Sequence, residues 1–401
     1  MKVDWIDILC AFSEGLDFAE ENLCKVSSGH AMRVAYFSAL AGKKYGMGSK
    51  ELSDLVACAL LHDNALTQYV AKEKIKSCVD MNKFSDFGMH CIEGGKNIKE
   101  LPFYYDSCKD FILYHHENAD GTGIFGKKTE EVPFGAQLIH MADHLEVTFD
   151  VLSPEIKQEK INEYVRKNRG TLFSPLCVDL FFETTNEKLI KEIASDNLMD
   201  KLKGLCNLGM RELDAKELYS IGTVFARIID FKSSFTNRHS LGIAEKAANM
   251  GSYYGYDEET CAKLYLAGCV HDIGKLLVLD KVLEKEDKLT DNEYQQIQTH
   301  VDGSIILLEK IKGLEEVTKW AVRHHEKLDG SGYPRKLSAK DLDFNDRLMA
   351  CIDTYQALTE ERPYKKSLPH NKAILIMEKM VYSGKLDGKI TEDLNKVFKD
   401  R

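Results

Sequence analysis

Five histidine or aspartate landmarks occur twice along this chain, in the same order and at an offset of 209 or 210 residues. Gly29-His30-Ala31-Met32-Arg33-Val34-Ala35 returns loosely as Arg238-His239-Ser240-Leu241-Gly242-Ile243-Ala244. Leu61-His62-Asp63 returns as Val270-His271-Asp272, and His90 returns as His300. His115-His116-Glu117 returns as His324-His325-Glu326, and Ala142-Asp143 as Ile352-Asp353. A repeat of this period means two copies of one domain. What it keeps most strictly is polar, whereas a repeat kept for packing would preserve apolar periodicity. The pattern points to a duplicated fold carrying a duplicated site.

Both copies read as all-α. Residues 51–61 and 259–270 show the i, i+3, i+4, i+7 apolar spacing of buried helices, and strand-like alternation is scarce. A length of 401 residues suits two domains. The first is expected over 1–195, closing with helices that begin at Ser153-Pro154 and Ser174-Pro175, each a serine N-cap followed by proline. Residues 186–207 are charged and periodic enough for a connecting helix, and 208–401 form the second domain. Duplicated helical bundles have matching surfaces, so the two are expected to pack as an intramolecular pseudo-dimer, with a homodimer of whole chains left open. Asp120-Gly121-Thr122-Gly123 and Asp329-Gly330-Ser331-Gly332 interrupt the helical pattern just after the paired histidines, as pocket-shaping loops would.

Composition removes several classes. A net charge of −10 argues against binding nucleic acid polymers or anionic membranes broadly, so an anionic substrate has to be held locally. The longest apolar run, Leu55 to Leu61, is far below the ~20 residues of a membrane span. The amino terminus carries Asp4 and Asp7 and no apolar signal segment. Eleven cysteines, an odd number without a Cys-x-x-Cys pair, fit free thiols that fill the core in a reducing, cytoplasmic compartment, with zinc-thiolate sites as the alternative.

The second copy supplies His239, His271, Asp272, His300, His324, His325 and Asp353 as candidate metal ligands. Nitrogen and oxygen donors without thiolates suit Fe, Mn, Zn or Ni and disfavour calcium. Seven donors exceed one tetrahedral site, so two ions fit if a carboxylate bridges them, and Asp272 is the natural bridge. Two ions so placed would polarise a phosphate and generate a hydroxide, which is hydrolase chemistry.

His271-Asp272-Ile273-Gly274-Lys275 resembles the HDxGK signature of HD-domain phosphohydrolases, and His324 to Pro334 (HHEKLDGSGYP) matches the HHExxDGxGYP signature of their HD-GYP subgroup. The resemblance continues through Leu289-Thr290, Thr299-His300, Asp353 and Glu361-Arg362-Pro363-Tyr364, covering roughly 215–400. It implies a helical bundle that hydrolyses cyclic di-GMP with two, sometimes three, divalent transition metal ions, Fe or Mn first and Zn or Ni as alternatives. It also implies that His239, His271, Asp272 and Asp353 hold one ion and that Asp272, His300, His324 and His325 hold the other. Asp272 and Lys275 would be the catalytic pair, with Lys275 against the scissile phosphate. Arg362, Lys365, Gly332 and Tyr333 fall where the substrate is gripped or its pocket shaped. Phe235 stands where trinuclear members place a glutamate, which favours two ions, and Gln356 stands where an aspartate is common.

The first copy keeps His30, His62, Asp63, His90, His115, His116 and Asp143, a second candidate metal set. Leu66 replaces the lysine, and Ile124-Phe125 replaces the Tyr-Pro. That copy is either a retired packing partner or a metal site of altered specificity. For the whole chain the leading expectation is a cyclic di-GMP phosphodiesterase. The alternatives are a non-catalytic cyclic dinucleotide receptor or scaffold, and a hydrolase of another cyclic dinucleotide such as cyclic GMP-AMP or of a nucleotide.

Overall fold

A computed structural model describes residues 1–24, 28–66, 88–102, 108–149, 158–185, 193, 197–232, 239–285, 287–361 and 367–399. Among them, seventeen α-helices stand beside a single two-stranded sheet of β1 (Lys2–Asp4) and β2 (Met210–Glu212). The chain divides into two compact units, Asp4–Arg211 and Glu212–Arg401, the latter joined by Met1–Val3. No helix among the described residues is long and apolar enough to cross a membrane.

The first unit contains α1 (Trp5–Cys24), α2 (His30–Tyr45), α3 (Ser49–Leu60), α4 (Gly88–Ile98), α5 (Phe134–Thr148), α6 (Gln158–Lys167), α7 (Pro175–Thr184) and α8 (Leu198–Leu205). Helix α2 is its centre, packed by α3, α5, α7 and α8, and it buries Val34, Ala35, Phe37 and Ala39. Ser174 caps α7 as its sequence predicts, accepting from the Cys177 amide at 3.3 Å. Ser153-Pro154 lies outside the described residues. The described residues of 186–207 include α8, whose Leu198 and Leu202 are buried with α8 lying on α2. An i, i+4 leucine pair thus folds this stretch into the first unit, and the division falls at Arg211 and Glu212.

The second unit contains α9 (Ala215–Asp230), α10 (His239–Tyr253), α11 (Glu258–Val270), α12 (Asp280–Leu283), α13 (Asp291–Leu308), α14 (Glu315–Val322), α15 (Phe344–Thr359), α16 (His370–Tyr382) and α17 (Gly388–Phe398). Here α11 is central, in contact with α9, α10 and α14. Its residues Cys261, Ala262, Leu264 to Val270 are all buried, as expected of a helix surrounded by others. Polar N-caps fix the helix starts: Asp214, Thr290 and Asp343 each accept an amide three residues on. Glu217, Glu293 and Asp346 return the bond to the cap residue's own amide.

Candidate metal centres and active site

The second unit brings its seven candidate ligands together. His239 opens α10, and His271-Asp272 form the turn that ends α11. His324-His325 follow α14, while His300 and Asp353 project from within α13 and α15. All are buried except His325, which is half-buried. Gly274 allows the turn to sit on α13, since a Cβ there would meet the His300 carbonyl oxygen at 1.9 Å. Ser304 fastens the same contact, accepting the Gly274 amide at 3.0 Å and donating to the His271 carbonyl at 3.0 Å.

Asp272 lies between two groups of imidazoles. Its Oδ2 is 3.1 Å from His271 Nε2 and 3.7 Å from His239 Nε2, and its Oδ1 is 3.2 Å from His300 Nε2 and 4.0 Å from His324 Nε2. Asp353 closes the ring, with Oδ1 at 3.7 Å from His239 Nε2 and Oδ2 at 3.5 Å from His325 Nδ1. Donor atoms of His239, His271 and Asp353 lie within 4.8 Å of one another, as do those of His300, His324 and His325.

The rings are held in one tautomer. Nδ1 of His271, His300 and His324 donates to the carbonyls of Gly268, Ile297 and Ala321 at 2.7, 2.6 and 2.6 Å. A carbonyl only accepts, so in the neutral ring the lone pair is at Nε2. Those three Nε2 atoms are buried and carry no hydrogen bond. Unpartnered buried acceptors are costly, and several facing one carboxylate fit a cation held among them. His239 differs, with Nδ1 donating to Glu360 Oε2 at 2.8 Å.

Burial and mutual charge set the protonation of these donors. Burial would raise the Asp272 carboxyl, but His271 and Lys275 outweigh it and hold it well below the ordinary carboxylate range. Burial pulls His271 down, and the Asp272 carboxylate more than reverses this. His324 and His325 are pushed well below the ordinary imidazole range, by burial first and by neighbouring imidazoles second. Neutral rings are the ligating form. Lys275, in the short 3₁₀ turn Ile273–Leu277, donates from Nζ to Asp272 Oδ2 at 2.5 Å.

The loop after His325 is built on Glu326, whose carboxylate accepts the amides of Arg335 and Leu337 at 2.8 Å each. Gly332 is required by closeness, because a Cβ would meet the Glu326 Cα at 2.5 Å. Tyr333 lays its ring 4.7 Å from that of His325. Gln356 is turned to α10, accepting from Lys246 at 2.7 Å. Arg362, Lys365 and Phe235 lie outside the described residues.

The first unit repeats the arrangement. Asp63 Oδ2 is 3.6 Å from His62 Nε2, and its Oδ1 is 3.5 and 3.4 Å from Nε2 of His90 and His115. Asp143 reaches His30, His62 and His116 at 3.3, 3.7 and 3.8 Å. Nδ1 of His62 and His115 donates to the carbonyls of Ala59 and Ile112 at 2.8 and 2.6 Å, and both Nε2 atoms are buried without a hydrogen bond. Glu117 takes the amides of Phe125 and Lys127 at 2.6 Å each, as Glu326 does in the second unit. Leu66, in the lysine position, is buried.

Three features escaped the sequence reading. Glu360 orients His239 but has no landmark register. Glu20 of α1 is buried, its carboxyl pushed well up by burial and then by Asp63, Asp17 and Asp143, so a further acid faces the first cluster. Cys91 is buried, as a core thiol would be, and it is also placed as the zinc-thiolate alternative would have it: its Sγ lies 3.4 Å from His90 Nε2 and joins His115 and His116 in one donor group. The available signal was its place directly after a ligand histidine.

HD domain family models match residues 28–148 and 223–390. The chain is 30% identical over 373 residues to the 3′3′-cGAMP-specific phosphodiesterase 1 of Vibrio cholerae, covering 90% of this chain and 85% of that protein. It is 32% identical to a cyclic di-GMP phosphodiesterase of Pseudomonas aeruginosa over 39% of this chain and 37% of that one. Its fold matches the crystal structure of a cyclic GMP-AMP specific phosphodiesterase of V. cholerae, V-cGAP3, with a TM-score of 0.68 and 21% identity over 100% of this chain and 99% of that one. With both copies matched, and with HDxGK and the complete HHExxDGxGYP sequence in the second, the chain belongs to the HD-domain metal-dependent phosphohydrolases, in their HD-GYP subgroup.

Proposed function

We propose that the second unit hydrolyses a phosphodiester bond of a cyclic dinucleotide, with 3′3′-cyclic GMP-AMP as the preferred substrate and cyclic di-GMP the second choice. One observation carries the chemistry: unpartnered Nε2 atoms of His271, His300 and His324 converge on Asp272, whose carboxylate also receives Lys275. The substrate order rests on coverage. The relative that spans 90% of this chain, both copies included, is named for 3′3′-cGAMP, whereas the cyclic di-GMP relative matches 39%.

In this reading His239, His271, Asp272 and Asp353 hold one divalent ion, and Asp272, His300, His324 and His325 hold the other, with Fe or Mn favoured by the nitrogen-rich, thiolate-free set. Such ions supply Lewis-acid polarisation of a phosphoryl oxygen and a water of lowered pKa. Asp272 keeps the two groups of imidazoles in register. Lys275 places a compact positive charge where charge gathers on the phosphoryl oxygens as water adds to phosphorus and the bond to the sugar oxygen breaks. Tyr333, beside His325, offers an aromatic face at the rim for a base. The first unit has the donors without the lysine, so it holds metal and does not run the same reaction at a comparable rate.

The test is hydrolysis by the full chain, stripped of metal and reloaded anaerobically with Mn(II) or Fe(II), on 3′3′-cyclic GMP-AMP, cyclic di-GMP and cyclic di-AMP, with products separated by chromatography. Linear dinucleotide or mononucleotides should appear, with the highest kcat/KM for the mixed dinucleotide. Binding without turnover by metal-loaded protein would make the chain a receptor. A higher kcat/KM for cyclic di-GMP would reverse the substrate order.

A further inference from the structure

The two clusters differ in one donor. In the second unit the group formed by His300, His324 and His325 contains nitrogen only, and the residue after His300 is Val301, which is fully buried. In the first unit the equivalent group is His90, Cys91, His115 and His116, with all four donor atoms within 4.8 Å of one another. Helix α4 supplies two of these donors from adjacent positions, and Cys91 Sγ is 3.4 Å from His90 Nε2. Tetrahedral zinc, with bonds of about 2.0–2.1 Å to nitrogen and about 2.3 Å to sulfur, separates its donors by roughly 3.3–3.7 Å. The Cys91–His90 distance falls in that range. His115 points to a cation independently, because its Nε2 is fully buried and makes no hydrogen bond, while Nδ1 is committed to the Ile112 carbonyl.

We propose that the first unit binds a thiophilic divalent ion, zinc first, through His90, Cys91, His115 and His116, so that the two copies of the fold hold chemically different metal sites. Thiolate softens a site otherwise made of imidazoles and shifts its preference from Fe(II) or Mn(II) towards Zn(II). Three imidazoles and one thiolate supply four donors of the kinds zinc takes, enough for a tetrahedral shell. The sulfur thus does in the first copy what Leu66 and Ile124-Phe125 do elsewhere in it: each change moves that copy away from the hydrolytic pattern of the second.

Cobalt(II) titration of the metal-stripped full chain tests this, because a thiolate-to-cobalt charge-transfer band in the near ultraviolet reports sulfur ligation whatever the enzymatic activity. The wild-type chain and Cys206→Ser should both develop the band and release it on zinc addition. Cys91→Val, which copies the second unit, and Cys91→Ser, which keeps side-chain size, should lose it and bind zinc in the first unit more weakly by more than about tenfold. Circular dichroism checks that each variant stays helical. No band in wild-type protein carrying stoichiometric cobalt, or an undiminished band in either folded Cys91 variant, would overturn the assignment. Turnover without the band would sink this inference and leave the hydrolase reading standing, and the band without turnover would do the reverse.

Discussion

Glu360 accepts a hydrogen bond from Nδ1 of His239 at 2.8 Å, so a carboxylate, and not a backbone carbonyl, sets the direction of this ring. Nε2 is thereby turned towards Asp353 and Asp272, 3.7 Å away in each case. In the first unit the related acid, Glu146, is taken by Arg33 at 2.5 Å, and His30 Nδ1 stands 4.0 Å from it. Gly242 occupies the position of Arg33 in the second copy.

A carboxylate behind a ligating histidine fixes its tautomer, and removing such a partner costs about 10–100-fold in metal affinity. Glu360→Ala should weaken metal binding by that factor in competition with a chelator. Glu360→Gln, which keeps an acceptor, should recover most of the loss. A variant that lowered only the Tm of metal-free protein, with affinity unchanged, would assign Glu360 to packing.

Lys275→Ala removes the cation beside Asp272 and none of the candidate ligands. Metal content should therefore stay at the wild-type level while kcat falls by about 10²–10³, the usual cost of removing one charge-stabilising donor. Elemental analysis and initial rates on the same preparation separate the two effects.

Glu326 is buried and takes two backbone amides of the loop that ends the signature. Glu326→Ala should cost roughly 2–4 kcal/mol in urea unfolding, because two amides lose a charged acceptor. It should also raise KM, since Tyr333 is carried on that loop. Glu117→Ala should show a similar stability loss in the first unit without the change in KM.

His140, buried with Nδ1 donating to the His115 carbonyl at 3.0 Å, is pushed down to about 4 by burial and by His144. The unfolded chain takes up that proton near the ordinary value of 6.5. Between those values the unfolded state binds more protons, so stability falls as pH drops through the window and is level above it. The contribution lost by pH 5 is about 2 kcal/mol. Urea midpoints of metal-free protein at pH 7.5 and 5 should show a smaller pH gap for His140→Asn than for wild type.

The repeat and its polar landmarks were legible because buried histidines and aspartates in register cannot be mistaken for core periodicity. Helices 51–61 and 259–270 were legible from their apolar spacing, and α7 from Ser174-Pro175. Cys91 was not, because as one cysteine in eleven it matches any small apolar residue until the fold brings it against His90. Glu360 was hidden for a related reason. It lies one helical turn beyond Gln356, the second-copy counterpart of Glu146, so its role follows from where α15 ends and not from the repeat register. Leu198 and Leu202 are buried with their helix on α2, and a charged amphipathic helix between two repeats looks the same in sequence whether it bridges them or belongs to one.

The bridging role of Asp272 is tested most directly by measuring bound Mn or Fe per chain together with cyclic dinucleotide turnover in Asp272→Ala and wild-type protein. Loss of close to two ions per chain and of all detectable hydrolysis, in a protein that remains helical, is the predicted result. A folded Asp272→Ala chain with wild-type metal content and wild-type kcat would contradict it.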